Sequence, residues 1–314
     1  MKSVITKTNF NFRDIKSKYE GKVRDVYTLS NNNIIVIATD RISAFDVIMP
    51  KGITYKGQIL NQISTEMLNK TNDIVDNWLI SSPDPNISYG KKCKPFKIEM
   101  VVRGYLSGHS YRLYKSGLRN ICGNIIPEKM NENDQFKEPI VTPTTKAEIG
   151  SHDQDISPDE IISNKILDKK MYDKLHFISL ELFNRGTEIA KNSGLILVDT
   201  KYEFGLDLEN NIVLIDEIHT PDSSRYFYLD SYNHLQINKL KQKQLSKEFF
   251  REWLMENDFQ GKEGQKIPYI SKETIDLISS RYIELYEKLM NKKFLKDHNL
   301  DINERIKLNM SNFL

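Results

Sequence analysis

Between Asp199 and Arg225 the chain gathers residue types suited to anions and divalent cations: Asp199, Lys201, Glu203, Asp216 and Arg225. Side chains alternate along a strand, so Asp199, Lys201 and Glu203 point to one face. A return strand, Ile212 to Asp216, follows the turn residues Glu209-Asn210-Asn211. With Glu209-Asn210 as a two-residue turn, Glu203 sits opposite Asp216, and with Asn210-Asn211 the two are diagonal neighbours on the same face. An odd-length loop breaks this geometry. Opposed carboxylates repel, so they need a cation, a shared proton or solvent. Magnesium suits such a pair of hard oxygen ligands, above all when nucleotide phosphates complete its shell. The alternative is a solvated acidic surface, but Ile196, Leu197, Val198, Val213, Leu214 and Ile215 around the pair imply a buried hairpin.

Three further segments offer anion chemistry. In Tyr19-Glu20-Gly21-Lys22-Val23-Arg24 the glycine allows backbone N–H groups near phosphates, and Lys22 and Arg24 supply charge. This is neither GxxxxGK[ST] nor GxGxxG, so a dinucleotide fold is not indicated, and a basic strand end is the competing reading. Arg103-Gly104-Tyr105-Leu106-Ser107-Gly108-His109-Ser110 joins a strand to a helix and offers an anion site at the helix start, against the plainer alternative of a capped helix with a surface arginine. Ser223-Ser224-Arg225 after Pro221-Asp222 is another candidate clamp. No histidine has metal-site spacing; His109 and His152 stand out only by their loops.

These segments need elements to position them. Val23 to Leu29 and Ile34 to Ala38 flank Ser30-Asn31-Asn32-Asn33 and read as a hairpin. Ile59, Leu60, Ile63, Met67 and Leu68 recur at helical spacing from Gly57 to Lys70. Ser81 to Asn86 reads as a turn-rich interruption, Phe96 to Val102 as a strand and Ser107 to Ser116 as a helix. Pro127 to Asp155 is polar and without a period, the pattern of a long functional or disordered loop. Ser157-Pro158-Asp159-Glu160 starts a helix with serine at the N-cap, proline at the first position and glutamate at N3. A helix from about Met171 to Asn192 ends at Gly194, where the strand Leu195 to Asp199 begins. Two helical patterns follow, around Phe249, Phe250, Trp253 and Leu254 and around Ile275, Ile278, Tyr282, Tyr286 and Leu289, and both read as scaffold.

The whole chain sets bounds on function. Its 314 residues suggest about two structural units, with the boundary placed near residue 96. Forty-five basic against forty-three acidic residues, a net charge of +2, is far from the signature of a dedicated nucleic-acid binder. The longest aliphatic run, Ile34 to Ala38, is much too short to cross a bilayer, and no secretory signal follows Met1 and Lys2. Cys93 and Cys122 lack CxxC spacing and read as reduced thiols, which points to the cytoplasm.

Seven blocks in order resemble the phosphoribosylaminoimidazole-succinocarboxamide synthase (SAICAR synthetase) family. They are YEGKVRDVY at 19–27, ATDRISAFD at 38–46, GQILNQIS at 57–64, VVRGYLSG at 101–108, TPTTKAEIGSHDQDIS at 142–157, DTKYEFG at 199–205 and DEIHTPDSSR at 216–225. The resemblance implies an α+β fold of two lobes. Residues 1–95 would form an antiparallel, β-rich nucleotide-binding lobe, and 96–314 a larger α+β lobe for substrate and metal that includes the C-terminal helices. It implies a carbon–nitrogen ligase of purine biosynthesis that joins L-aspartate to the carboxylate of carboxyaminoimidazole ribonucleotide (CAIR), with ATP as co-substrate in the cleft and Mg2+ as cofactor. By motif, Gly21, Lys22 and Arg24 fall on the nucleotide-phosphate loop, Glu203 and Asp216 on the metal ligands, and Arg103, Lys201 and Arg225 on positions that hold the ribonucleotide. Glu99 and Asp153 match acidic positions beside the substrate carboxylate, and with Lys201 are assigned to the chemistry. Ser43, Ser107, Ser110, Lys146 and Asp199 match positions lining the substrate. The chain departs from many relatives in having His109 where they have serine, which leaves His109 and Ser110 as rival phosphate ligands. The partners implied are small molecules, with neither nucleic acid nor membrane, and oligomeric state stays open. A small-molecule or lipid kinase is the rival enzyme, separated by dependence on aspartate; a nucleotide-binding regulatory module is the non-enzymatic rival.

Overall fold

The computed structural model describes residues 4–146, 154–296 and 301–313. The chain begins with strands β1 (Ile15–Glu20), β2 (Arg24–Leu29) and β3 (Asn33–Ala38), of which β2 and β3 form the expected hairpin. Two short strands, β4 (Ser43–Ala44) and β5 (Val47–Ile48), make a small ribbon before helix α1 (Lys56–Lys70). No side chain of α1 caps its own N-terminus; instead Asp40 reaches across to accept the Gly57 N–H at 2.9 Å. Gly57 has no substitute there, because a Cβ would stand 2.2 Å from the Ala38 carbonyl oxygen.

Strands β6 (Leu79–Asp84) and β7 (Ile87–Lys91) complete an antiparallel sheet of order β1-β2-β3-β7-β6. The turn-rich reading of Ser81 to Asn86 is therefore corrected: most of it is strand β6. Pro83 is tolerated because β6 lies at the sheet edge and its register is twice interrupted, so the missing N–H costs no ladder bond in the interior.

The second sheet is built on the long strand β8 (Lys94–Tyr105). Helix α2 (Gly108–Lys115) follows, then β9 (Asn120–Ile121), β10 (Asn124–Ile125), β11 (Gln135–Val141) and β12 (Thr144–Thr145). Part of the aperiodic stretch is thus strand; β11 pairs with β8 through a disrupted register, which masks its alternation in the sequence. Helix α3 (Pro158–Ser163) starts with the expected capping box, and α4 (Lys169–Asn192) leads into β13 (Leu195–Leu206), β14 (Ile212–Ile215) and β15 (Ser224–Tyr228). All pairings in this sheet are antiparallel, in the order β11-β8-β13-β14, with β12 added to β8 and β15 to β13.

Helices α5 (Leu229–Ile237), α6 (Glu248–Glu256), α7 (Lys272–Met290) and α8 (Ile302–Phe313) end the chain. The main core joins the apolar face of α1 to Met100 and Val102 of β8, Leu182 and Phe183 of α4, Tyr202 and Phe204 of β13, and Tyr282 and Leu285 of α7. The last helix returns to the first sheet, where Ile302, Ile306 and Met310 pack with Ile5, Tyr27, Ile35 and Ile87. Arg305 seals that contact through a buried ion pair, its Nε 3.0 Å from Asp84 Oδ2. Cys93 and Cys122 are free thiols, and no helix among the described residues is long and apolar enough to cross a membrane.

Candidate active site

A cleft of about 990 Å³ opens between the two sheets. Its floor is the face of β13 that carries Asp199, Lys201 and Glu203, as alternation requires. Antiparallel pairing sets Asp199 beside Arg103 and Glu203 beside Glu99 on β8, and Asp199 beside Arg225 on β15. The carboxylate of Asp199 therefore lies between two guanidinium groups, with Oδ2 3.4 Å from Arg103 Nη1 and 3.6 Å from Arg225 Nη1. Arg103 also donates through Nε to Thr142 Oγ1 at 2.8 Å, which fixes the plane of its fork.

One step along the strand, Lys201 Nζ stands 2.8 Å from both Glu99 Oε1 and Glu203 Oε1. Lys146 reaches the other oxygen of Glu203. Burial raises the Glu99 carboxyl and Glu203 adds repulsion; Lys201 offsets only part of this, and the group is pushed up to about 7. Burial acts the same way on Glu203, but Lys201 and Lys146 outweigh it and hold this carboxyl well below its ordinary value. Lys201 itself is raised well above the ordinary lysine value, since its two glutamates overcome the burial that would lower it.

The hairpin register differs from either even-turn expectation. Glu203 pairs with Ile215, not with Asp216, because the loop 207–211 is odd in length. Asp207 Oδ1 builds that loop by accepting the N–H groups of Glu209 and Asn211, both at 2.9 Å, while Asn210 takes a left-handed φ of 63°. Asp216 nonetheless lines the cleft. It lies just past β14 with φ 60°, and its carbonyl accepts the indole N–H of Trp78 at 2.9 Å, so the strand ends in a pinned turn and the carboxylate swings back toward Glu203. Burial, with Glu203 and Glu217 nearby, pushes Asp216 up to about 6 despite Arg24.

The opposite wall belongs to the first sheet. Gly21 donates its N–H to the Arg24 carbonyl at 2.8 Å, a turn so tight that a Cβ would come 2.8 Å from that oxygen. Its N–H is thus used internally, and Lys22 of the same loop pairs with Asp46. Arg24 points down to the floor, with Nη1 3.6 Å from Asp216 Oδ1 and Nη2 on Glu217. Ser43 lines the same wall. Arg41, in the ATDRISAFD block, secures the loop by donating to the Gly21 carbonyl at 2.8 Å and to Asp25 at 2.6 Å.

At the junction of β8 and α2 the structure separates three neighbours. Ser107 and Ser110 do not line the cleft, whereas His109 does. Ser110 is fully buried and donates to the Ser107 carbonyl at 2.9 Å. Ser107 accepts from Arg225 and lies 2.8 Å from Asn133 Oδ1 as a donor. Asp153 lies outside the described residues. The remaining residues expected at the site all meet in the cleft.

Several cleft residues were not among those expected. Lys247, Glu248 and Arg251 come from the start of α6, read as scaffold from Phe249, Phe250, Trp253 and Leu254. The available signal was Lys247 and Arg251, four apart on one side of the helix, where they flank buried Phe250 and Leu254. Glu248 Oε2 is 3.5 Å from Arg225 Nη2, and Arg225 with Arg251 overcomes burial to bring Glu248 down to about 2. Asp222 at the cleft edge accepts from buried Lys56 at 2.8 Å and from Tyr282 at 2.7 Å, which ties the DEIHTPDSSR segment to α1 and α7. Burial lowers Lys247 beside it to about 8.

Among the described residues no group of three or more His, Cys, Asp or Glu side chains is placed to hold a metal. Glu203 and Asp216 both line the cleft, and their hard carboxylate oxygens are the donor type that could hold a divalent cation together with phosphate and water.

Buried carboxylates, the lysines that pair with them and the arginines converging on Asp199 and Asp216, mounted on two antiparallel sheets, suit an enzyme that brings anionic substrates together. A family model described as SAICAR synthetase matches residues 17–268. The phosphoribosylaminoimidazole-succinocarboxamide synthase of Flavobacterium psychrophilum is 56% identical over 312 residues, 99% of each chain. That of Bacteroides thetaiotaomicron is 56% identical over 310 residues, 99% of this chain and 98% of its own. A solved SAICAR synthase from Saccharomyces cerevisiae, complexed with SAICAR, superposes with a TM-score of 0.77 at 31% identity, covering 92% of this chain and 99% of that one. The chain belongs to the SAICAR synthetase family. It is an ATP-dependent ligase of purine biosynthesis that joins L-aspartate to CAIR, and the kinase reading falls away.

Proposed function

We propose that the ligation runs through an acyl phosphate of CAIR, formed on the floor of the cleft. The observation that carries this reading is the row on β13, where Asp199, Lys201 and Glu203 share a face and Arg103 and Glu99 flank them on β8. Anions crowd this reaction: a phosphorylated ribonucleotide, a dicarboxylic amino acid and a nucleotide. In water their charges keep the reacting atoms apart, and fixed cations in a partly dry cleft reverse that. Arg103 and Arg225 hold the ribonucleotide phosphate, with Asp199 fixing both forks. Lys201, oriented by Glu99, faces the CAIR carboxylate, and Lys146 stands on the far side of Glu203. The nucleotide lies against the first sheet, beside Lys22 and Ser43, and the division near residue 96 separates nucleotide side from substrate side. Glu203 and Asp216 would hold a magnesium ion, which neutralises phosphate charge when bound. We also place the enzyme in the cytoplasm, where its nucleotide substrate is made available.

A CAIR carboxylate oxygen attacks the γ-phosphorus and ADP leaves. The neutral amine of aspartate then attacks the carbonyl carbon, the C–N bond forms, phosphate departs with the bridging oxygen, and the amine proton passes to solvent. CAIR labelled with 18O in its carboxylate is therefore expected to deliver one labelled oxygen to phosphate per turnover, read by mass spectrometry of the phosphate. Unlabelled phosphate would exclude activation of the substrate and point to a phosphoenzyme.

A further inference from the structure

We propose that Trp78 is a positioning residue for the reaction: it ties the turn that carries Asp216 to both sheets and so aims that carboxylate at its divalent cation. The inference rests on reading Glu203 and Asp216 as the ligands of that cation. Asp216 needs outside support for the role. It follows Ile215, the last residue of β14, and takes a left-handed φ of 60°, a conformation that costs an aspartate free energy and persists where the surroundings hold it. Its carbonyl oxygen lies beyond the β13–β14 ladder, and the Trp78 indole N–H donates to it at 2.9 Å. The other end of the turn is held separately, by the Tyr226 hydroxyl donating to the His219 carbonyl at 2.8 Å. The indole bond therefore governs the end from which the carboxylate projects.

The anchorage of the Trp78 backbone makes the residue more than a cap. Its N–H donates to the Leu214 carbonyl at 3.0 Å, and the Leu214 N–H donates to the Asp76 carbonyl at 2.9 Å, so residues 76–78 run as a short parallel bridge beside β14. The Trp78 carbonyl in turn accepts the N–H of Lys91, the last residue of β7, at 2.8 Å. One residue thus bonds the second sheet through Leu214 and Asp216 and the first sheet through Lys91. The fit against β7 is close: a Cβ on Gly90 would stand 2.1 Å from the Trp78 carbonyl oxygen and 2.6 Å from ring atom Cε3. Trp78 is buried and still borders the cleft. From the first sheet Arg24 also reaches Asp216, with Nη1 3.6 Å from Oδ1. Backbone and side chain of Asp216 are therefore both referred to the wall proposed for the nucleotide, and a tilt of one sheet against the other would be felt at this carboxylate. Indole suits the task, since its single donor meets a single carbonyl and the rest of the ring is apolar. Groups that orient a metal ligand commonly change metal affinity tenfold or more without touching the metal.

Trp78→Phe in the full chain keeps an aromatic ring and removes the donor. Mn2+ binding in the presence of ADP, read by loss of the free-ion electron paramagnetic resonance signal, should weaken roughly tenfold. The magnesium concentration giving half-maximal turnover should rise by a similar factor, while KM for CAIR and for aspartate stays within about twofold. A merely structural role would lower the folded fraction and leave Mn2+ affinity per folded chain alone. Unchanged Mn2+ affinity in the folded variant would overturn the proposal, as would a loss borne by KM for CAIR instead. Should Trp78→Phe fold poorly, Trp253→Phe leaves Trp78 as the remaining one of two tryptophans. Its single 15N-indole resonance should exchange slowly with solvent and shift when Mg2+ is added to the ADP complex; a fast-exchanging indole, or one indifferent to Mg2+, would refute the assignment. Asp216→Asn separates the two levels of inference. If it weakens Mn2+ binding and Trp78→Phe does not, only the role of Trp78 fails; if it leaves Mn2+ affinity unchanged, the placement of the cation fails.

Discussion

Glu203 shows how much one carboxylate can be asked to do: it is 6% exposed, takes Lys201 on one oxygen and Lys146 on the other, and faces the site proposed for a divalent cation. Glu203→Gln keeps the shape but loses the charge, so turnover should fall by at least roughly a hundredfold, as expected when charge support for a transferring phosphoryl group is lost. Circular dichroism should stay native, because Glu99 remains on Lys201. Near-normal turnover at limiting magnesium would contradict the metal assignment. His219 is a quieter residue with a clear pH signature. It is 1% exposed, its Nε2 bonds Tyr202 at 2.7 Å, and burial lowers it from 6.5 to about 3. A depressed histidine contributes stability above its ordinary value and loses it as pH falls toward the folded one, so this ring costs the fold about 2 kcal/mol between pH 7 and pH 5. His219→Asn, which tolerates the left-handed φ of 58°, should be less stable at pH 7 but lose less on going to pH 5. Urea midpoints at the two pH values check this, and parallel losses in both proteins would refute it.

Elements decide which of these residues meet. Alternation along β13 is local geometry, so the shared face of Asp199, Lys201 and Glu203 was legible in the sequence. The register of its hairpin was not, because a side-chain bond from Asp207 builds a longer loop than the turn residues suggested. The junction of β8 and α2 depends on one glycine. Gly108 has φ 58°, and any Cβ would collide with the guanidinium of Arg225. Gly108→Ala should therefore displace Arg225, raise KM for CAIR by about tenfold and cost about 1–2 kcal/mol for the left-handed backbone. An unchanged KM for CAIR with raised KM for ATP would mean that the junction serves the nucleotide. Helix α6 illustrates the converse difficulty. Its aromatic spacing correctly signals a packed face, yet the start of the same helix delivers Lys247, Glu248 and Arg251 to the cleft, and the spacing of the two basic residues says nothing of which cleft they meet until the helix docks.

For the whole molecule, the return of α8 to the first sheet matters most. Arg305 meets Asp84 through Nε at 3.0 Å and Nη2 at 3.2 Å, and Asn309 adds a bond at 2.7 Å to a carboxylate with no solvent exposure. Arg305→Ala would leave that charge buried with only neutral donors, a loss of about 3–5 kcal/mol. Hydrogen exchange should quicken in α8, β6 and β7 while β8 and β13 stay protected; uniform acceleration across both sheets would show that the helix does not hold the first sheet specifically. By itself the sequence determined the β2–β3 hairpin, α1, the capping box at Ser157, the shared face on β13 and the seven blocks that carry the family resemblance. Each is local: a period, a cap or a short run of residues encodes it within a few positions. Tertiary structure alone decided the edge strand that accommodates Pro83, the pinned turn that brings Asp216 to Glu203, the commitment of Ser107 to Asn133 and Arg225, and the closing of the first sheet by the last helix. These depend on partners tens to hundreds of residues away, and no local pattern records which distant donor, acceptor or apolar face will be nearest once the chain has packed.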